Sequence, residues 1–263
     1  QTSTITVSVD DANSDDDFDG VADQTVSVST TDDDVAGFTV AETEGSTGVD
    51  ESGTTDTITV VLNAQPTSDV VIAISSSDIS ESSVNSPLTF TSANWDTAQT
   101  VTVTGADDDL VDGTVSSTIT VSVDDANSDD DFDGVADQTV SVSTTDDDVA
   151  GFTITETEGS TTVTEAGSTD TFDVVLNAQP DSNVVLTISS SDTGESTVHG
   201  STPSNNTITF TSANWDTPQA FTVTGVDDDL VDGTVSSTVT VSVVDAVSDN
   251  NFDGVADQTV NAS

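Results

Sequence analysis

The chain has 263 residues, 50 of them Asp or Glu and none of them Lys or Arg, for a formal net charge of −50. That balance excludes nucleic acid and anionic membrane surfaces as electrostatic partners, because binding either takes a basic patch. Cys is absent, so disulfide and thiol chemistry are excluded, and no apolar run approaches the roughly 18 residues of a membrane span, so no membrane insertion is expected.

The acids are mostly Asp, 42 against 8 Glu. With no cationic side chain to pair with, they repel one another and oppose any compact state. An external cation must neutralise them, and divalent metal or very high salt meets that need. Acidic composition alone also suits disorder. Here the acids fall in discrete clusters between β-patterned segments, which indicates folded domains with ion-loaded loops.

In chain order, residues 1–34 carry two β-patterned runs around an acidic loop. They match the last two runs of each later repeat: NSDDDFDGVADQTVSVSTTDDD at Asn13 returns at Asn127, and the variant VSDNNFDGVADQTV begins at Val247. A lone hairpin is marginal in water. It is therefore read as completing a sandwich whose remainder is an earlier part of a longer chain or, less favoured, a neighbouring subunit. Gln1 is not a natural start and no signal peptide is visible, so the sequence is read as a mature product or a window of a longer chain.

Val35–Asp148 form one full repeat and Val149–Ser263 a second. DDDVAGFT at Asp32 and NAQP at Asn63 recur 114 residues on, whereas FTSANWDT at Phe90 recurs 120 residues on. The six extra residues lie near His199, Gly200 and Asn205. A period this long makes each repeat a whole domain rather than a solenoid unit. In the first repeat, strands are expected near Gly37–Glu42, Thr57–Leu62, Val70–Ser75, Leu88–Thr91, Gln99–Thr104, Ser117–Val123 and Gln138–Thr144. Their period is two, their apolar residues are largely β-branched, and Gly, Asp, Asn and Pro separate them. Seven short strands in about 115 residues predict an all-β fold: tandem immunoglobulin-like antiparallel β-sandwiches in a linear array.

Three motifs carry candidate chemistry. The loop pattern D-x-[DN]-x-D-G-x-x-D occurs at Asp15, Asp17, Asp19 and Asp23, at Asp129, Asp131, Asp133 and Asp137, and at Asp249, Asn251, Asp253 and Asp257. Oxygens at positions 1, 3, 5 and 9, with the backbone carbonyl at position 7 (Val21, Val135 or Val255), can wrap one Ca²⁺, and Gly at position 6 permits the turn. Position 12, usually Glu, is Val26, Val140 or Val260. The loop therefore needs a further oxygen, with Asp11, Asp125 or Asp245 as candidates. The alternative is a solvated acidic hairpin tip.

The second motif is GADDDLVDG at Gly105, repeated as GVDDDLVDG at Gly225. The third is the triplet Asp32–Asp34, repeated at Asp146–Asp148. In an antiparallel sandwich the loops after the first, third and fifth strands share one pole with the C-terminal end. Glu44, Asp50, Glu51, Asp78, Glu81, Asp107–Asp112 and Asp146–Asp148 are thus expected to converge. The last loop of the next repeat, Asp245–Asp257, faces the same joint. Several Ca²⁺ ions per repeat would lock such a joint, and the bland alternative is a flexible acidic linker.

The run F-x-V-x-E-x-E at Phe38–Glu44, the V-x-E at Val49–Glu51, the acidic loop at Asp107 and the terminal DDD together resemble the Calx-β family of calcium-binding immunoglobulin-like sandwiches. The stretch FTSANWDTAQTVTVTGADDD resembles the tandem Calx-β-like repeats of giant bacterial surface adhesins. The resemblance covers both full repeats. It implies calcium ligands at Glu42 or Glu44, Asp107, Asp108, Asp109, Asp112, Asp146, Asp147 and Asp148. In repeat two it implies Glu156 or Glu158, Asp227, Asp228, Asp229 and Asp232. Asp32, Asp33 and Asp34 are the equivalent triplet of the earlier copy.

No nucleophile has a basic partner, so no catalytic residue and no enzymatic activity are expected. Trp95 and Trp215 are read as packing residues, and the lone His199 is given no role. The function expected is a calcium-rigidified structural repeat of an extracellular, cell-surface protein of prokaryotic origin, forming a stalk or filament. Its partners would be calcium, neighbouring repeats and identical chains. The alternative is a carbohydrate- or protein-binding adhesion module that uses the repeat-end loops. A halophile's unspecific acidity is the third reading.

Overall fold

The computed structural model describes residues 2–200, 205–231 and 233–263. It is all-β, with short 3₁₀ turns as its only helical structure among the described residues. β1 (Thr2–Val7) and β2 (Gln24–Ser29) form a two-stranded antiparallel sheet of their own. Ile5, Val7, Val26 and Phe18 of this hairpin are exposed.

The first repeat holds β3 (Phe38–Glu42), β4 (Thr47–Asp50), β5 (Thr55–Leu62), β6 (Val70–Ser76), β7 (Ser82–Val84), β8 (Leu88–Phe90), β9 (Gln99–Gly105), β10 (Val115–Val123) and β11 (Gln138–Thr145). Two sheets, in the orders β3-β5-β9-β7 and β4-β11-β10-β6-β8, enclose one core. Strict alternation explains it: Ile58 and Val60 on β5 and Val101 and Val103 on β9 all point inward, as do Ile72, Ile119, Val121 and Val142 of the other sheet. Successive side chains of a strand face opposite ways, so the intervening Thr and Ser residues face water or the sheet edges.

The second repeat holds β12 (Phe152–Glu156), β13 (Thr169–Leu176), β14 (Val184–Ser190), β15 (Ser196–His199), β16 (Thr207–Phe210), β17 (Gln219–Gly225), β18 (Ser237–Val243) and β19 (Gln258–Ala262). Its sheets run β12-β13-β17-β15 and β16-β14-β18-β19 around a separate core. At the cross-strand pair Ile58–Val101 of the first repeat, this one carries Phe172–Phe221. Those rings lie 5.7 Å apart at 43°. In the same core Val239 stands where the first repeat has Ile119, which offsets part of the added volume, and core volume is what such repacking must hold.

All seven strands expected in the first repeat are present. Two others were not expected: β4 and β7, of four and three residues. β4 also departs from the expected antiparallel pattern, because it pairs parallel to β11, Thr47 with Val142 through Asp50 with Thr145. That pairing brings residue 51 beside the C-terminal end of the repeat.

Asp129 and Asp249 show why the last loop folds as it does. Each caps a 3₁₀ turn that drops Phe132 or Phe252 into the core. Trp95 and Trp215 pack against the two cores from their edges. No helix of the described residues is long and apolar enough to cross a membrane.

Candidate metal centre

At the distal pole of the first repeat, β4, β9 and β11 end and β7 begins. Glu51 follows β4, and its backbone N–H donates to Thr145 O at 3.1 Å. Glu81 precedes β7, with its carbonyl accepting from Ala106 N at 2.9 Å and from Thr144 Oγ1 at 3.3 Å. Asp108 and Asp112 lie in the loop after β9, and Asp146–Asp148 follow β11. The close approach needs a glycine at 105: a Cβ there would come within 1.9 Å of Asp50 O. Gly225 meets Thr164 O at 2.1 Å in the same way.

Carboxylate oxygens of Glu51, Asp108 and Asp148 lie within 4.8 Å of one another. Glu51 is fully buried and neither of its carboxylate oxygens has a hydrogen-bond partner. Glu81 Oε2, Asp112 Oδ1 and Asp148 Oδ2 are likewise buried and unpartnered. Leaving one buried polar oxygen unsatisfied costs about 1–3 kcal/mol, more for a charge, so five together need a shared partner. Asp146 is held differently, its Oδ2 accepting from Asp112 N at 3.0 Å and Gly113 N at 2.8 Å, and its Oδ1 from Asp148 N at 2.7 Å. Asp108 Oδ1 accepts from Leu110 N at 2.8 Å. These bonds fix the loops while leaving lone pairs facing inward.

The electrostatics agree with the geometry. Burial, then Asp108, Asp146, Asp112 and Glu81, pushes the Glu51 carboxyl up to about 7. Burial first and the neighbouring carboxylates second also raise Glu81, Asp112 and Asp148. Asp181, from the second repeat, is among the charges acting on Asp112. Like charges crowded out of water make each proton harder to lose. A bound cation reverses that balance, since it stabilises the ionised forms.

The donors are all hard carboxylate oxygens, with no His or Cys among them. That set suits Ca²⁺, which takes 6–8 oxygens, and does not suit metals that favour nitrogen or sulfur. The orphaned oxygens fit such an ion.

Other expected ligands are placed elsewhere. Asp107, Asp109 and Asp147 are exposed on the rim, where they add to the field that raises Asp148. Glu44 and Glu158 are exposed on turns at φ 61° and 57° and do not join the carboxylate group, and Glu42 Oε1 accepts from Thr47 Oγ1 at 3.3 Å. Glu51 and Glu81 take the inner positions, although the resemblance pointed to the glutamate after the first strand. Strand order had placed both at this pole among other acids, and the pairing of β4 with β11 is what sets Glu51 innermost. Asp32, Asp33 and Asp34 gather within 4.8 Å of one another but are exposed.

In the second repeat Asp227, Asp228 and Asp229 occupy the matching loop, and Asp228 Oδ1 accepts from Leu230 N at 2.7 Å as Asp108 does. Asp232 lies outside the described residues.

The last-loop aspartates behave differently from the expectation of a calcium loop. Asp129 Oδ2 accepts from Thr67 N at 2.6 Å, Thr67 Oγ1 at 2.8 Å and Ser68 N at 2.7 Å, and Oδ1 accepts from Asp131 N at 3.1 Å. Those bonds, led by the one from Ser68, hold its carboxyl down to about 2. Asp249 clasps Ser182 in the same manner. Position 1 of the motif is thus spent on anchoring the neighbouring loop, and position 4 is a core Phe. Among the described residues, neither Asp15, Asp17, Asp19 and Asp23, nor Asp131, Asp133 and Asp137, nor Asp253 and Asp257 join a cluster of three within 4.8 Å. Val135 and Val255 pack against the cores, whereas Val21 is exposed. Asn251 has its own role: its Nδ2 donates to Val111 O of the first repeat.

That bond belongs to the joint. Gln179 N donates to Asp109 O at 2.6 Å, Val111 N donates to Gln179 O at 3.3 Å, and Leu110 bridges Gln179 in parallel. Val111 packs against the second core. The loop that supplies Asp108 and Asp112 therefore also grips the next repeat.

No protein-family model and no curated protein matches the chain. Among solved structures it is similar to the CBD12 domains of CALX1.2, at 16% identity and a TM-score of 0.31 over 77% of this chain and 79% of that one. It is similar to the calcium-binding domain CBD12 of CALX1.1, at 16% identity and 0.32 over 78% and 79%. It is also similar to domains 4–9 of the surface layer protein SbsC, at 17% identity and 0.30 over 92% of this chain and 33% of that one.

Proposed function

We propose that the chain is a calcium-binding structural repeat of an extracellular, cell-surface stalk or filament, in which metal at the distal pole of each repeat stiffens the joint to the next. One observation carries the reading: Glu51 is fully buried with both oxygens unpartnered, beside Asp108 and Asp148. No side chain of this protein can neutralise that site, because it encodes no Lys or Arg. Six carboxylates, from Glu51, Glu81, Asp108, Asp112, Asp146 and Asp148, exceed the charge of one divalent ion and suit more than one. On this reading the role is mechanical.

Extracellular calcium is millimolar, and binding to the native state stabilises by mass action, about 2.7 kcal/mol at a hundredfold excess over Kd. The test is thermal unfolding with CaCl₂, with chelator, and with KCl at matched ionic strength. A rise of roughly 10 °C with calcium alone is expected for a domain of this size. Equal stabilisation by KCl would show that unspecific screening of the exposed acids is enough, and the reading would fail.

A further inference from the structure

We infer that the second repeat completes the metal centre of the first, with Asp181 sharing a divalent cation with Asp112 so that the ion itself ties the two repeats together. The inference rests on the calcium reading above and adds to it a ligand from across the joint. Register brings the two residues together. Gln179 N donates to Asp109 O and Val111 N donates to Gln179 O, which sets Gln179 opposite Leu110 in a parallel bridge. Residues two apart on an extended chain share a face, and two residues beyond the bridge stand Asp112 on one chain and Asp181 on the other. Pro180 between them has no N–H to continue the ladder. Asp181 is close enough to be among the charges acting on Asp112.

Asp112 has an oxygen to give. Its N–H is used on Asp146 Oδ2, but its Oδ1 is buried without a hydrogen-bond partner. Deeper in the same cluster lies Glu51, fully buried with both oxygens unpartnered and with Asp112 among the charges acting on it. Asp181 is exposed and borders an open cavity of about 480 Å³ that Asn250 and Asn251 also line. Asn251 uses its Nδ2 on Val111 O, which leaves its Oδ1. Amide oxygens and water both complete the shell of a Ca²⁺ held by carboxylates.

The two repeats differ in a way that singles out residue 181. In the loops at this end, Asp69, Asp124, Asp130 and Asp131 of the first repeat are replaced by Asn183, Val244, Asn250 and Asn251 in the second. The end that meets the acidic pole of the first repeat is thus relieved of like charge, which is costly when two such surfaces are juxtaposed. One change runs the other way: Asp181 stands where the first repeat has Thr67. Thr67 helps to hold Asp129, whereas Ser182 alone holds Asp249, so residue 181 is released from that task. An added carboxylate opposite Asp112, where its neighbours have become neutral, opposes the joint unless a cation lies between the two.

Calorimetric titration of the full chain with CaCl₂ tests this on wild type, Asp181→Asn and Asp216→Asn. Asp216 serves as the charge control: it is exposed and lies at the same end of the repeat, where the neighbouring Trp215 O accepts from Leu176 N. Asp181→Asn should weaken one class of calcium sites about tenfold or more, since the charge of the ligand set tunes affinity. Asp216→Asn should stay within about twofold of wild type, because an exposed charge is screened by salt. In chelator Asp181→Asn should melt at or above the wild-type temperature, since it removes a repulsion. A lower melting temperature there would give Asp181 a structural task in its own loop and overturn the inference. Unchanged calcium affinity in Asp181→Asn, or equal losses in both variants, would also overturn it while leaving the calcium reading standing, because wild type still binds. A wild type that takes up no calcium defeats the calcium reading itself, and the inference with it.

Discussion

Two buried carboxylates in the same repeat have opposite chemistry, and their surroundings decide it. Asp129 sits among backbone and hydroxyl donors and is held down to about 2. Glu51 sits among carboxylates with no donor and is pushed up to about 7. The pH dependences follow with opposite signs. A depressed carboxyl contributes stability that is present above its unfolded value near 4 and lost as pH falls towards about 2. A raised carboxyl favours the folded state when protonated, so stability is lost as pH rises from about 4.5 through about 7. Metal-free protein should therefore be most stable near pH 4 and lose melting temperature up to pH 7, a trend that calcium should abolish. Glu51→Gln should flatten the metal-free trend, raise the melting temperature in chelator at pH 7, and cut the calcium-induced rise by more than half. A Gln variant that keeps the full calcium response would place the ion elsewhere. Calcium binding at pH 6 should also release protons from Glu51, read by calorimetry in buffers of different ionisation enthalpy.

At the scale of elements, the strands show in the sequence because Val, Ile and Thr alternate, and a period of two forces the apolar set onto one face. The short β4 has no such signature: TGVD offers two inward residues, Thr47 and Val49. Its parallel pairing to β11 is a tertiary choice, set by where the chain returns rather than by local preference. Glu51 was legible as one of many acids near a pole, but not as the innermost. The spacing at Asp129–Asp137 admits two uses for a related reason. A cap plus a glycine turn draws on the same residues as a metal loop, and here Asp129 is bonded to Thr67 and Ser68 while Phe132 is buried. Asp129→Ala should strip the acceptor from Thr67 N and Ser68 N and cost about 2–3 kcal/mol, measured by denaturant unfolding in chelator, with calcium affinity at the pole unchanged. Lost calcium binding in that variant would return the loop to the list of metal sites. Gly105→Ala tests the opposite end of the sandwich. A Cβ 1.9 Å from Asp50 O must part β9 from the turn carrying Glu51, at about 3 kcal/mol or more, and should weaken calcium binding together with stability.

Across the whole molecule, −50 charges on 263 residues must be kept from pushing the two repeats apart. Exposed aspartates are screened within a Debye length of about 8–10 Å in ordinary salt, so they do not set the geometry. The joint does, through a loop with two tasks: Asp108 and Asp112 face the carboxylate cluster, and Asp109, Leu110 and Val111 between and beside them hold the next repeat. If metal binds the cluster as proposed, neutralising it should hold that loop, and with it Val111, against the second core. Val111→Asp separates the two tasks. The variant keeps every carboxylate of the cluster but must desolvate a new charge to seat, so the seat should be lost. Small-angle scattering in calcium should give one elongated distance distribution for the wild type and a broader, shorter-weighted one for the variant. The calcium-induced rise in melting temperature should be nearly the same in both. If the two scattering curves superimpose, the joint is held by the linker and Asn251 rather than by this wedge, and metal at the pole would stabilise a repeat without aligning the chain.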